Sequence, residues 1–174
     1  MRSLAFACCG LLLAATVAWG GAPQNGKFAV LGGATSAGDT QISSSTNYRF
    51  HGPFSGLSDS SPHDVELVLP VGGTISRLNV GLHDTPDNGG AAWTFVFMVN
   101  AAAGNPPTGD TLLMCTVATG ATDCSDLVNQ VNVNAGDKIS LMSVPSCKNP
   151  NFWGPLTGNC PNRRQMRWSV LFTP

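Results

Sequence analysis

Charge is the first property that this sequence has little of. Only 11% of its 174 residues are charged, against about 25% in an average protein. Hydrophobic residues make up 43%, so the low charge does not indicate a disordered chain. Without Arg2, eight basic and ten acidic side chains remain, which is not the basic surface that nucleic acid binding requires. We therefore expect a folded domain with no nucleic acid partner.

Long apolar runs are also scarce, with one exception at the start of the chain. Met1 and Arg2 precede an apolar stretch over residues 4–18, and small residues follow at positions 20–22. This pattern is typical of a secretory signal peptide, cleaved here after Gly20 or Ala22. No later run is long enough to span a bilayer. We predict a secreted or cell-surface protein, with the periplasm as an alternative, and no membrane span after cleavage.

The cysteines do not have the spacing of a metal site, because there is no C-x-x-C motif and the histidines lie far from the cysteines. Four cysteines follow the predicted leader: Cys115, Cys124, Cys147 and Cys160. An even number in an exported chain predicts disulfides, for which three pairings are open. The sequential pairing, Cys115 with Cys124 and Cys147 with Cys160, closes two short loops and fits local geometry best.

Helical periodicity is lacking as well, because no stretch after the leader keeps a helical period for ten residues. Short segments with β-type alternation recur about every ten residues, and glycine, proline, asparagine or aspartate ends each one. The predicted strands cover residues 27–31, 48–51, 64–71, 74–82, 92–100, 111–118, 129–134, 138–144 and 165–173. We therefore predict an all-β fold, an antiparallel two-sheet β-sandwich that is jelly-roll-like. The expected organisation is a signal peptide at 1–22, short strands and a Ser/Thr-rich loop at 23–63, and the sandwich at 64–174, which forms one domain with the preceding segment.

Three details of the strand pattern give sharper expectations. The step from Arg77 to Leu78 breaks the alternation and predicts a β-bulge. The last strand alternates strictly, which predicts a central place in its sheet. The strand from Trp93 to Val99 is apolar on both sides, so one face fills the core and the other could meet a second copy of the chain.

Several of these segments together resemble a group of exported or phage-associated microbial β-sandwiches. They are GTISRLNV at 73–80, WTFVFMVN at 93–100, CTV at 115–117, CSD at 124–126, VNVNAGD at 131–137, ISL at 139–141 and RWSVLFT at 167–173. The group is similar to the jelly roll of C1q and tumour-necrosis-factor domains, and the likeness covers about residues 65–173. It implies a tight turn at Ala135-Gly136-Asp137, a tendency to form homotrimers, and ligand binding without catalysis.

Catalytic motifs are missing from the sequence. There is no G-x-S-x-G elbow, and we expect His51, His63 and His83 to lie in surface loops. Glu66 is the only glutamate, and we expect it to face solvent from a strand rather than to form a carboxylate pair. The sequence therefore favours a protein that is not an enzyme, with a secreted hydrolase as the less favoured alternative.

Two loops carry the remaining candidate sites. Asp84, Asp87 and Asn88 could supply oxygen ligands to calcium, but the same residue types form ordinary turns, and we favour the turn and expect no cofactor.

The second loop combines aromatic and basic residues, which could stack on sugars or pair with acidic groups: Phe152, Trp153, Arg163, Arg164 and Arg167. Alternatively, the aromatic rings fold back onto the sandwich edge. The function predicted from sequence is a structural or ligand-binding module, or a carbohydrate-binding module, with a glycan or surface partner.

Overall fold

The computed structural model describes residues 28–35, 49–54, 58–59, 61–86, 90–102, 108–110, 113–147 and 159–174. These residues form strands and one 3-10 turn at Pro62–Asp64. The strands are β1 (Ala29–Ala34), β2 (Arg49–His51), β3 (Ser58–Asp59), β4 (Leu67–Val68), β5 (Gly73–Leu82), β6 (Trp93–Ala102), β7 (Thr108–Asp110), β8 (Met114–Val117), β9 (Asp123–Val133), β10 (Lys138–Pro145) and β11 (Met166–Thr173). Within these ranges, no helix is long and apolar enough to cross a membrane.

The strands form two antiparallel sheets. The four-stranded sheet has the order β1-β11-β5-β9. The second sheet runs β3-β2-β10-β6-β7, with β4 also paired to β10 and β8 to β6. Successive strands such as β5 and β6, or β9, β10 and β11, lie in different sheets, so the chain crosses between the layers repeatedly. The predicted jelly-roll-like β-sandwich is confirmed, and so is the interior position of the last strand.

The alternation seen in the sequence produces the core between the sheets. Strand side chains that point inward are almost fully buried, as at Trp93, Phe97 and Trp168. The rings of Phe97 and Trp168 meet edge to face across the two layers, with centroids 6.3 Å apart and an interplanar angle of 64°. Such contacts add to the hydrophobic burial that holds the two sheets together.

The predicted β-bulge lies at Arg77. The register of β5 against β9 shifts between Ser76 and Leu78, and Arg77 has a φ of 56°. Ser76 pairs with Gln130 and Leu78 with Asp126, so Arg77 alone faces residues 127–129 of β9. A non-glycine residue in the left-handed region is uncommon and indicates local strain.

Asp126 stabilises the irregular part of β9. Its carboxylate accepts hydrogen bonds from the backbone N–H groups of Met114, Val128 and Asn129, at 3.1, 3.2 and 3.0 Å, and from Asn129 Nδ2 at 2.9 Å. Burial raises the pKa of Asp126, but these hydrogen bonds outweigh it, and the pKa lies below its ordinary value.

Both disulfides have the sequential pairing favoured from sequence. Cys115–Cys124 joins β8 to β9 and so links the two sheets along one side of the sandwich. Cys147–Cys160 ties the end of β10 to the segment that leads into β11. The predicted turn is also present, since Gly136 has a φ of 90° and Asp137 N donates to Asn134 O at 3.1 Å.

The second face of β6 is buried within the chain itself. Its side chains belong to a separate apolar cluster on the far side of the larger sheet, made of Phe50, Val65, Val96, Met98, Ala101, Met142 and Val144. This face therefore does not provide the surface for a second copy that the sequence suggested. Self-association remains a prediction, and it requires another surface.

Candidate functional site

The outer face of the four-stranded sheet carries polar side chains aligned in two rows. Arg167, Gly81 and Asp123 are cross-strand partners on β11, β5 and β9, and Ser169, Asn79 and Ser125 form the next row. Together they line an open cavity of about 390 Å³. We call it the arginine groove and define it by Asn79, Gly81, Asp123, Ser125, Arg167 and Ser169.

Glycine at position 81 creates the space for the central cation. A Cβ atom at Gly81 would lie 3.1 Å from Arg167 Nε and 3.5 Å from its Cζ. The Arg167 side chain therefore passes close over the backbone of β5 at Gly81, where a larger residue would displace it. This is the close approach for which a glycine inside a strand is suited.

The guanidinium of Arg167 has no acidic partner in the part of the chain that the structure describes. Among the described residues, its guanidinium makes no hydrogen bond and no ion pair, although Asp123 lies in the same row. Gly81 separates the two, and two strand spacings correspond to about 10 Å. Five N–H donors in a planar fork thus face the groove, a geometry that matches carboxylates and vicinal hydroxyls.

The rest of the groove offers both donors and acceptors. Asn79 Nδ2 donates to Arg77 O at 2.9 Å, which leaves the side-chain oxygen of Asn79 available to a ligand. Ser125 is exposed and Ser169 half-buried, and each hydroxyl can donate or accept. Beyond Arg167, a second depression of about 180 Å³ is lined by Thr35, His83 and Gln165 among others.

The arginines predicted as one cluster separate into different roles. Arg164 Nε donates to Thr85 O at 2.7 Å, and Arg164 Nη2 lies 3.9 Å from Asp84 Oδ2. Arg164 therefore stabilises the turn after β5. Arg163 is exposed nearby, and only Arg167 lines the groove.

The candidate calcium loop is described in part. Asp84 accepts a hydrogen bond from Thr85 N at 2.8 Å in addition to its contact with Arg164, as a turn residue does. Asp87 and Asn88 lie outside the described residues. Within the described part of the chain, no three His, Cys, Asp or Glu side chains form a group that could hold a metal ion.

Phe152 and Trp153 also lie outside the described residues, but the ends of their loop are defined. Ser146 Oγ donates to Asn159 O at 2.8 Å beside the Cys147–Cys160 disulfide. Trp93 Nε1 donates to Asn162 O at 3.4 Å. The loop thus leaves and re-enters the sandwich at the end where the turn after β5 is located.

A serine–histidine pair occurs where the sequence predicted a surface loop, so that expectation for His51 is wrong. His51 lies on β2 and is 1% exposed, because β2 packs into the larger sheet. Its Nε2 is 2.9 Å from Ser143 Oγ, and burial, together with the charge of Arg49, lowers its pKa from 6.5 to about 3. Because both residues are buried, a substrate cannot reach this pair. His51 Nδ1 has no hydrogen-bond partner among the described residues, so the pair lacks the third group that orients the histidine in a catalytic triad.

The expectation for Glu66 is wrong too. Its side chain is only 4% exposed, and it lies between the 3-10 turn and β4 rather than on a strand. Glu66 Oε2 is 3.6 Å from Lys138 Nζ and 3.4 Å from His63 Nδ1. The Lys138 ammonium beside Oε2 offsets part of the cost of burying this carboxylate, while Oε1 has no hydrogen-bond partner among the described residues.

Sequence reasoning missed most of the arginine groove. Outward positions are readable from alternation, which places Asn79 and Gly81 opposite the core residues of β5. The neighbours of each strand are not readable in this way, so the meeting of β11, β5 and β9 was not predicted. The one available signal was a glycine in the middle of a strand.

Comparison with known families and with characterised proteins finds no match for this chain. The assignment of the arginine groove as a candidate site therefore depends on its geometry alone.

Proposed function

We propose that this protein is an exported, non-catalytic β-sandwich module that binds a hydroxyl-rich ligand of the glycan type in the arginine groove. The observation that carries the proposal is the guanidinium of Arg167, which has no partner among the described residues and lies over Gly81 beside the row of Ser169, Asn79 and Ser125. An open groove on a rigid sheet suits a ligand that lies along the surface.

The chemistry of the groove favours sugars over apolar ligands. Arg167 donates only, Asp123 accepts only, and Asn79 and the two serines do both. A sugar hydroxyl is both donor and acceptor and can satisfy each of them. A ligand without hydroxyl groups would leave most of these groups unpaired, at a cost in affinity.

Other observations support export and a binding role. Two disulfides persist in oxidising compartments, which agrees with the predicted signal peptide. An antiparallel two-sheet sandwich is compatible with the resemblance to C1q-like jelly rolls, which implies ligand binding without catalysis. The buried serine–histidine pair gives no reason to prefer the hydrolase.

A binding screen with a matched variant tests the proposal. The mature, oxidised protein is titrated by calorimetry with neutral and uronic-acid oligosaccharides, and Arg167→Ala is compared with Arg163→Ala, which removes the same charge outside the groove. We expect Arg167→Ala to weaken binding at least about tenfold, as the loss of a charge-assisted contact does. Arg163→Ala should stay within about twofold. Equal effects of the two variants, or no binding to any sugar, would refute the proposal.

A second variant separates positioning from charge. Gly81→Ala keeps Arg167 but displaces its guanidinium. Affinity should fall while the melting temperature stays the same or rises, because alanine costs less conformational entropy than glycine in a strand. A variant that binds as wild type would show that the position of Arg167 over β5 is unimportant.

The loop at 148–158 is a second candidate surface within the same function. The chain that follows this loop is tied to the turn after β5 by two hydrogen bonds. Arg164 Nε donates to Thr85 O at 2.7 Å, and His83 N donates to Gln165 O at 3.0 Å. His83 and Gln165 line the depression beside the arginine groove. We expect Trp153→Ala to weaken binding without loss of stability if the ring stacks on sugar. A loss of about 3–5 kcal/mol would instead indicate a packed ring and remove the loop from the site.

A further inference from the structure

A third depression continues the arginine groove along the sheet. It measures about 140 Å³, and Asn79 and Ser169 line both it and the groove. Gly81 and Arg167 in turn line both the groove and the depression beside His83. The three depressions therefore adjoin one another along β5 and β11, and we refer to them together as the channel.

The far end of this channel holds a second exposed arginine. Arg77 lines the third depression, and its position on the β-bulge gives it a φ of 56°. Bulges often re-aim a side chain next to a functional site. Asn79, which lines the groove, also holds the bulge through its hydrogen bond to Arg77 O at 2.9 Å.

Arg77 also has no acidic partner within the described ranges. Among the described residues, its guanidinium has no ion pair or hydrogen bond. The carboxylate nearest in the strand pairing belongs to Asp126, and both of its oxygens already accept hydrogen bonds from N–H groups. The neighbouring wall is apolar, with Val30, which is 61% exposed, and Leu171.

The channel has a direction that suits an extended anion. Arg77 and Arg167 are separated by four residues along β5 but only three along β11 because of the bulge, which corresponds to about 10–13 Å. Across the sheet, Asp123 would repel a negative group beyond Gly81. A ligand that runs along the strands can therefore place an anionic group at each arginine, whereas one that runs across them would meet the carboxylate of Asp123.

We infer that the channel binds an extended acidic polysaccharide, with one carboxylate at Arg167, a second at Arg77, and sugar rings packed on the apolar wall between Val30 and Leu171. This inference rests on the proposed function and adds the ligand's charge, length and direction. The second contact is intramolecular once the first has formed, so long chains gain affinity over short ones.

A length series tests it. Wild type, Arg167→Ala, Arg77→Asn and Arg163→Ala are titrated with oligogalacturonates from dimer to octamer and with neutral galacto-oligosaccharides of equal length. Asparagine tolerates the left-handed backbone of the bulge, and a melting curve checks that the variant is folded. In wild type, we expect affinity to rise at least about tenfold over a narrow range of lengths, with a strong dependence on salt.

The variants distinguish the two contacts. Arg77→Asn should remove the gain for long chains and leave the shortest binding chains unchanged, whereas Arg167→Ala should weaken all of them. Arg163→Ala should match wild type. A loss of binding in Arg167→Ala with no effect of length or of Arg77→Asn would leave the proposed function standing and overturn this inference. Equal binding of neutral sugars, or stronger binding of single-stranded DNA or polyglutamate in the same titration, would also overturn it.

Discussion

Stability of this protein should fall in mild acid because of one buried histidine. His51 is neutral in the folded state, with a pKa of about 3 against an ordinary value of 6.5. Below pH 6.5 the unfolded chain therefore binds a proton that the folded chain does not. The contribution of this group is fully present above pH 6.5 and is lost progressively as the pH falls toward 3.

The two pKa values set the size of the effect. Relative to pH 7.5, proton linkage at His51 lowers the free energy of unfolding by about 1.4 kcal/mol at pH 5.5 and about 2.7 kcal/mol at pH 4.5. Asp126 and Asp137 have lowered pKa values, so their contributions appear mainly below this range. In Asp126 burial opposes the shift, whereas in Asp137 the hydrogen bond from Asn100 is the main cause.

Urea denaturation of the oxidised protein at the three pH values measures the loss. His51→Gln should lower stability at neutral pH but abolish most of the decline between pH 7.5 and 4.5, because glutamine does not titrate. His51→Phe serves as a second non-titrating variant if the first folds poorly. His83→Gln, at an exposed position, should decline as wild type does. A parallel decline in wild type and both His51 variants would refute the reasoning.

Three further predictions concern stability. Replacing Cys115 and Cys124 together by serine should cost about 2.7 kcal/mol in urea denaturation, since the bridge closes a loop with a sequence separation of 9; an unchanged midpoint would contradict this. Asp126→Asn should cost about 1.5–3 kcal/mol through weakened charge-assisted hydrogen bonds, with the difference from wild type narrowing in acid. Trp168→Ala should lower the free energy of unfolding by about 3–5 kcal/mol, because it empties the space beside Phe97. A melting temperature within about 2 °C of wild type corresponds to only about 0.5 kcal/mol and would contradict this prediction.

The fold was predictable because its information is local. Alternation along 74–82 and 165–173 identified two strands and their buried faces, and the broken alternation at Arg77 identified the bulge. The disulfide pairing followed from short separations. Strand β9 begins six residues before the predicted segment 129–134, because residues 123–128 do not alternate between apolar and polar side chains. Asp126 accepts the hydrogen bonds that stabilise this part of the strand.

The candidate site was less predictable because it depends on contacts between distant segments. Arg167 was singled out for its place near an aromatic loop, whereas its strand partners are Gly81 on β5 and Ala34 on β1. Burial of His51 and Glu66 likewise depends on partners far along the chain, Ser143 and Lys138. Residue type and local pattern carry no information about such partners.

The position of β11 has a consequence for how the protein is made. Strand β11 comes after the other described strands in the chain, yet it lies between β1 and β5 and pairs with both. Until residues 166–173 have been synthesised, β1 lacks the partner it has in the finished sheet, and one edge of β5 stays open. The four-stranded layer, and with it the arginine groove, can therefore form only when residues 166–173 are available, whereas the pairing of β5 with β9 needs no residue beyond Val133.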